Sequence, residues 1–308
     1  MRTAFFETLT ELAEFDERVE LIVGDLGFGV VEPFALRFPD RYHNAGVAEA
    51  NMTGVATGLA LAGSVVFTYS IGNFPTLRCL EQLRNDVCYH EANVKVVAVG
   101  GGLAYGVLGI SHHATEDLAI LRVLPNLLVA APGDPAEVRA VTRELWRHNG
   151  PAYLRLGKAG EPSVHAGEVD LPPGSSVMVR PGDQVALLVT GGMLPVAVAV
   201  SESLAAAKVE ARVVSMPWVA PLDEVAVLRA SSETNLVVTI EEHSVVGGLG
   251  GAVAENLAEF DGHAPLLRIG LPRAFTSAVG SQDYLRSGYG LDAESITRRV
   301  LENLKDRK

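Results

Sequence analysis

The sequence predicts an α/β protein of two consecutive three-layer domains, each a parallel sheet covered by helices on both faces. Three observations lead there. Short β-branched runs alternate with helical ones along nearly the whole chain. Hydrophobic residues make up 48% but aromatics only 6%, so the interior must be built of Ala, Val and Leu, as in buried parallel strands. The 308 residues also correspond to about two domains at roughly 100 to 200 residues each.

In chain order, strands are expected at 20–26, 64–70, 94–100, 127–132 and 152–156, each bounded by Gly, Pro or polar residues. Helices are expected at 3–15, 47–62, 76–90, 115–123 and 134–148, the last opened by Asp134 as N-cap and Pro135 at the first helical position. Residues 157–183 are rich in Gly, Pro and Ser and connect the two halves. The expected boundaries are a first domain at 1–165, a linker at 166–183 and a second domain at 184–308. The second domain repeats the alternation, with strands at 184–190, 209–216, 235–242 and 265–271 and helices at 195–207, 222–230 and 249–259.

Charge excludes one class of partner. With 25 Lys and Arg against 37 Asp and Glu, the net charge of −12 leaves no basic surface for a nucleic-acid backbone. No apolar run is long enough to span a membrane, and the acidic N-terminus is unlike a signal peptide, so a cytoplasmic protein is expected. Cys79 and Cys88, nine apart, have neither zinc nor CxxC spacing and read as reduced packing residues.

One stretch carries a chemical signal. Between His43 and Arg78 the only charged side chain is Glu49, in GVAEANMTGVATGLALAG. A carboxylate in such surroundings is either raised in pKa for a purpose or placed at a helix start, where the dipole favours an acid. Gly54 and Gly58, four apart, leave a smooth helix face that serves either a subunit contact or a tight contact within the chain. GGLGG at 247–251 has Val253 where a dinucleotide fingerprint needs its third glycine, and reads as the tight opening of a helix.

The Glu49 segment resembles that of the thiamine-diphosphate enzymes of the transketolase group. So do GISHHATEDLAILRVLPNLLVAAPGDPAE (109–137), EEHSVVGGLGGAVAE (241–255) and GSQDYLRSGYGLDAESI (280–296), in the same order. The resemblance implies that Glu49 donates a hydrogen bond to the N1′ atom of the cofactor's aminopyrimidine, that Tyr69 or Phe74 stacks on that ring, and that His112 polarises the substrate carbonyl or shuttles a proton. It also implies that Arg2 and Arg155, with Asp25 of the VGDLG turn, face an anionic sugar substrate. The group's serine and histidine in that anion site fall here on Gly29 and Gly100.

The group's Gly-Asp-Gly metal segment is missing. The candidates here read GDLG, PGDP and PGDQ, so the chain is expected to hold no metal itself. The resemblance is thus to the second half of a transketolase. It implies a separate N-terminal subunit holding the diphosphate through Mg2+ or Ca2+, an α2β2 assembly with a β–β contact, and transfer of a two-carbon ketol unit between sugars. Two other readings remain open: the β subunit of a 2-oxoacid dehydrogenase or decarboxylase first component, or a non-catalytic scaffold of the same fold.

Overall fold

The computed structural model describes residues 1–305. Its first sheet is assembled from β1 (Val19–Val23), β2 (Tyr42–Asn44), β3 (Val65–Ile71), β4 (Val94–Val99), β5 (Leu128–Ala130) and β6 (Ala152–Leu156). The second contains β7 (Val177–Arg180), β8 (Val185–Val189), β9 (Ala211–Ser215), β11 (Leu236–Ser244) and β12 (Leu266–Leu271), while β10 (Trp218–Ala220) crosses back to the first. The strand orders are β10-β5-β6-β4-β3-β1-β2 and β12-β11-β8-β9-β7. All pairings are parallel except β10 with β5 and β7 with β9, so the antiparallel strands sit at sheet edges.

Both domains have three layers. Helices Arg2–Phe15 and Pro135–Arg147 cover one face of the first sheet through Phe5, Leu9, Val138 and Leu145. Helix Glu49–Leu61 and the segment 77–88 cover the other through Met52, Ala56, Leu83 and Val87. In the second domain Leu194–Ala206 and Ala293–Lys305 lie on one face, Glu224–Glu233 and Leu249–Leu257 on the other.

Three strands escaped the sequence reading, each for lack of pattern. The triplet Tyr-His-Asn of β2 has no apolar period and is held by β1 alone. The strand β7 lies inside the stretch read as linker. Trp218 of β10 carries the connection into the first domain's core, where it is fully buried and donates from Nε1 to the Leu171 carbonyl at 3.1 Å. The expected helix at 76–90 is broken into a 3-10 turn (Leu77–Cys79), a short α turn and a π-helical stretch (Leu83–Cys88). Both cysteines are buried and reduced.

Asp134 caps its helix as read from sequence, accepting from Glu137 N at 2.9 Å, and its other oxygen accepts from Val164 N and His165 N at 2.8 Å. Burial opposes its charge, but the His165 ring and these amides hold its pKa down to about 2. Asp134 in turn raises the pKa of His165 above its ordinary 6.5, with Glu137 3.7 Å from the other ring nitrogen. The sign for each partner follows by linkage. The Asp134 contribution is complete above its ordinary 3.8 and is lost as pH falls toward 2, while the His165 contribution is complete below 6.5 and is lost as pH rises through its raised pKa. Asp134→Asn is therefore expected to cost at least about 1–2 kcal/mol by urea unfolding, with the largest deficit near pH 5 and a smaller one above pH 8. A deficit that grows steadily with pH would contradict the pairing.

Candidate active site

Glu49 opens helix Glu49–Leu61 and is 1% exposed. Both sequence readings of it meet here, since it is at once the helix's first-turn acid and a buried carboxylate. It is not unpartnered: Ser70 Oγ of β3 donates to Oε1 at 3.1 Å, and Arg78 Nη1 donates to Oε2 at 2.6 Å. Arg78, the next charge along the chain, returns to Glu49 from the 3-10 turn after β3. Gly24 belongs to the same cradle, because a Cβ there would stand 3.3 Å from Glu49 Oε1 and 3.1 Å from Ser70 Oγ.

Arg78 also holds Phe74. Its guanidinium lies 4.6 Å from the centroid of that half-buried ring. Phe74 meets the His112 ring edge-on at 5.2 Å. Arg78 thus links Glu49 to Phe74, and Phe74 in turn meets His112, three residues distant in sequence. His112 closes the 3-10 turn Ile110–His112, its Nδ1 3.0 Å from Ser111 Oγ. Burial and the neighbouring His113 push its pKa below 6.5, so the ring is neutral at pH 7 and can both donate and accept. His113 is fully buried and turned to the Gly106 carbonyl at 3.4 Å.

Tyr69 is elsewhere. Side chains alternate along β3, so Ser70 faces Glu49 while Phe67 and Tyr69 face the opposite helix layer. Tyr69 is fully buried, stacked on Phe5 at 6.2 Å and edge-on to Phe6 at 4.9 Å, and has no free face for a cofactor ring. This corrects its expected stacking role.

The two arginines make different contacts. Arg155 of β6 is buried, with Nε 2.9 Å from Asp117 Oδ2 and Nη2 donating to the Ala114 carbonyl at 2.6 Å and the Glu242 carbonyl at 3.1 Å. Burial disfavours its charge, but Asp117, Tyr153 and Glu242 overcome this and raise its pKa. Tyr153 donates to the same Asp117 oxygen at 2.6 Å. An arginine so committed holds the segment behind His112, with its Nε and Nη2 engaged inside the chain. It borders a cavity of about 350 Å³ between the domains, together with Glu242, Gln282 and Arg286. Arg2 is half-buried near Tyr69 and Tyr105, and Asp25 is exposed with Asn44 donating to it at 3.0 Å.

The second domain's glycine run opens helix Leu249–Leu257. Glu241 accepts from Leu249 N and Gly250 N at 2.8 Å, and a Cβ on Gly248 would fall 2.0 Å from that carboxylate. This is the tight helix opening expected from the sequence, built around a side chain rather than a nucleotide.

The architecture and the site have counterparts among known proteins. Residues 1–160 match the family described as transketolase, pyrimidine binding domain, and residues 174–296 match transketolase, C-terminal domain. The chain belongs to the transketolase family. It is a C-terminal, β-type subunit of the split, thiamine-diphosphate-dependent members. It is 37% identical over 303 residues to a 6-deoxy-6-sulfo-D-fructose transketolase subunit of Clostridium sp. (strain MSTE9), covering 98% of this chain and 94% of that one. It is 33% identical over 283 residues to an apulose-4-phosphate transketolase subunit of Actinobacillus succinogenes, covering 92% and 91%. Among solved structures, a split-gene transketolase described as an inactive β4 tetramer superposes with a TM-score of 0.89 at 36% identity, over 99% of this chain and 97% of that one.

The residues present fit one half of this transketolase family's cofactor. A buried carboxyl beside a half-buried aromatic ring suits an aminopyrimidine, which needs one hydrogen-bond partner for a ring nitrogen and one flat surface. Among the described residues no group of three or more His, Cys, Asp or Glu side chains could hold a metal ion.

The Arg155 geometry yields a stability prediction. Arg155→Ala strands the Asp117 carboxylate in the interior and is expected to cost about 3–5 kcal/mol in urea unfolding, with Asp117→Asn recovering part of the loss in the double variant. Unfolding unchanged from wild type, with only a raised KM, would return Arg155 to the substrate.

Proposed function

We propose that this subunit, joined to an N-terminal subunit that holds the cofactor's diphosphate through Mg2+ or Ca2+, transfers a two-carbon ketol unit between a ketose and an aldose. The observation that carries the reading is the convergence of Glu49, Phe74 and His112. Thiamine diphosphate supplies a nucleophilic carbon and an electron sink when bound. This chain supplies proton control and orientation. Glu49, carrying a proton, donates to the aminopyrimidine ring nitrogen, and Phe74 supports the ring's face. An ionised carboxylate can only accept hydrogen bonds, so Glu49 must take up a proton before it can donate. His112, neutral at pH 7, is suited to hold or return a proton at the substrate's carbonyl oxygen.

The helix face bearing Gly54 and Gly58 supports the β–β contact. A Cβ at either glycine would meet nothing within 4 Å, and Val55 and Leu61 beside them are exposed, so among the described residues the face around these glycines closes no contact. We assign it to a second copy of this subunit within an α2β2 assembly. No helix among the described residues is long and apolar enough to cross a membrane.

Two measurements test the reading. The chain alone is expected neither to bind thiamine diphosphate tightly nor to turn over a ketose, and addition of the N-terminal subunit to restore both; micromolar cofactor binding to the isolated chain by calorimetry would sink it. In the assembled enzyme, Glu49→Gln is expected to fold normally yet lose on the order of 10² to 10⁴ in kcat, with exchange of the cofactor's C2 proton slowed in step. An unchanged exchange rate would reduce Glu49 to a helix-capping acid, and turnover of pyruvate rather than hydroxypyruvate would favour the decarboxylase reading.

A further inference from the structure

We infer that Arg78 is a positioning residue for the cofactor's aminopyrimidine: it fixes one oxygen of Glu49, leaves the other to carry the donated proton, and braces the Phe74 ring from behind. The inference rests on the ketol-transfer reading and names how that same site holds the ring. The two oxygens of Glu49 are unequal. Oε2 accepts from Arg78 Nη1 at 2.6 Å, while Oε1 accepts from the Ser70 hydroxyl at 3.1 Å. A guanidinium has donors and no acceptor, so once Glu49 is protonated the oxygen beside Arg78 is the carbonyl oxygen of the acid. A hydroxyl can turn from donor to acceptor, so Ser70 tolerates a proton on Oε1. Gly24 leaves space beside that oxygen, since a Cβ there would stand 3.3 Å from Oε1 and 3.1 Å from Ser70 Oγ. The proton that Glu49 takes up therefore belongs on Oε1, and Arg78 stays bonded to Oε2 while Glu49 donates.

The same guanidinium lies 4.6 Å from the Phe74 centroid, and the edge of that half-buried ring meets His112. One face of Phe74 is thus backed by a cation, and the opposite face is the one offered to a flat ring. Arg78 and Phe74 keep their spacing because one turn carries both. Phe74 N donates to the Ile71 carbonyl at 2.8 Å, Thr76 Oγ1 to the Gly72 carbonyl at 2.9 Å, Arg78 N to the Asn73 carbonyl at 3.3 Å and Cys79 Sγ to the Phe74 carbonyl at 3.2 Å. Asn73 Nδ2 in turn donates to the carbonyl of His113, next to His112. An aminopyrimidine needs an acid at one ring nitrogen and a flat surface under the ring, at a fixed offset from each other. Arg78 touches the providers of both and sets that offset. A lysine ammonium could pair with Oε2 or sit on the ring, but it lacks the planar fork that does both at once.

The test uses the assembled enzyme with Mg2+ and two probes: thiamine diphosphate, and hydroxyethylthiazole diphosphate, which keeps the diphosphate and lacks the aminopyrimidine. By calorimetry, Arg78→Met is expected to raise Kd for thiamine diphosphate about tenfold or more and Kd for the thiazole probe less than about twofold, with Arg78→Lys recovering part of the loss. A merely structural role would weaken both probes alike. Arg78→Gln gives the same readout should Arg78→Met fail to assemble. Combined with Glu49→Gln, Arg78→Met is expected to lose less than the sum of the two single losses, because both act on one contact. Equal effects on the two probes, or additive losses, overturn the inference. Selective weakening of thiamine diphosphate by Glu49→Gln but not by Arg78→Met overturns the inference alone. If Glu49→Gln affects the two probes equally, the aminopyrimidine does not lie at Glu49, and the reading and the inference fall together. A wild type that binds the cofactor but transfers no ketol unit sinks the ketol-transfer reading alone, and the two probes still decide the role of Arg78.

Discussion

The buried guanidinium of Arg155 is the interaction on which the site's placement depends. It leaves β6 of the first sheet, pairs with Asp117, and donates to the carbonyls of Ala114 and Glu242. One side chain thereby joins the first sheet, the segment that follows His112 and the second domain's β11. The junction is reinforced by Glu242, which accepts from Leu103 N at 2.6 Å, from Gln282 Nε2 and from Arg286 Nε. A planar group with five donors can satisfy several acceptors at fixed angles, and removing it would take a donor from each of them in the interior. The cost of burying so many polar groups is accepted in return for a fixed relation between the two domains.

A second pairing, Glu49 with Arg78, acts differently because Arg78 is half-exposed while Glu49 is not. The carboxylate keeps its place through the helix start and Ser70, whereas among the described residues the arginine is held by that carboxylate and the Phe74 ring. This asymmetry makes the arginine the movable member.

Much of the site was legible in the sequence because its chemistry conflicts with its surroundings. Glu49 stood out as the one charge between His43 and Arg78, and that conflict is local in the chain. Asp134 was legible for a similar reason, since capping involves residues three or four apart. The partners were not legible. Nothing in FTYSIGNFPTLR states that Arg78 folds back onto Glu49, although Arg78 marks the end of the charge-free stretch and was the available signal. Tyr69 was misread because a stacking aromatic and a core aromatic are the same residue type, and only the parity of the β3 pleat separates Ser70 from Tyr69.

The sequence by itself determined the class of fold, its two domains, nearly every central strand and the family to which the chain belongs, since these depend on periodicities and ordered segments written along the chain. Tertiary structure decided what lies at long range. Trp218 returns to the first domain's core, the strand β7 closes the second sheet, and the Tyr105 ring fills the space beside Gly100. The physical reason is the same throughout. Hydrophobic period and capping act between residues a turn or a pleat apart, while an ion pair, a ring contact or a shared cavity depends on which distant segments the packing brings within a few ångströms, and the pattern of one segment carries no record of the other.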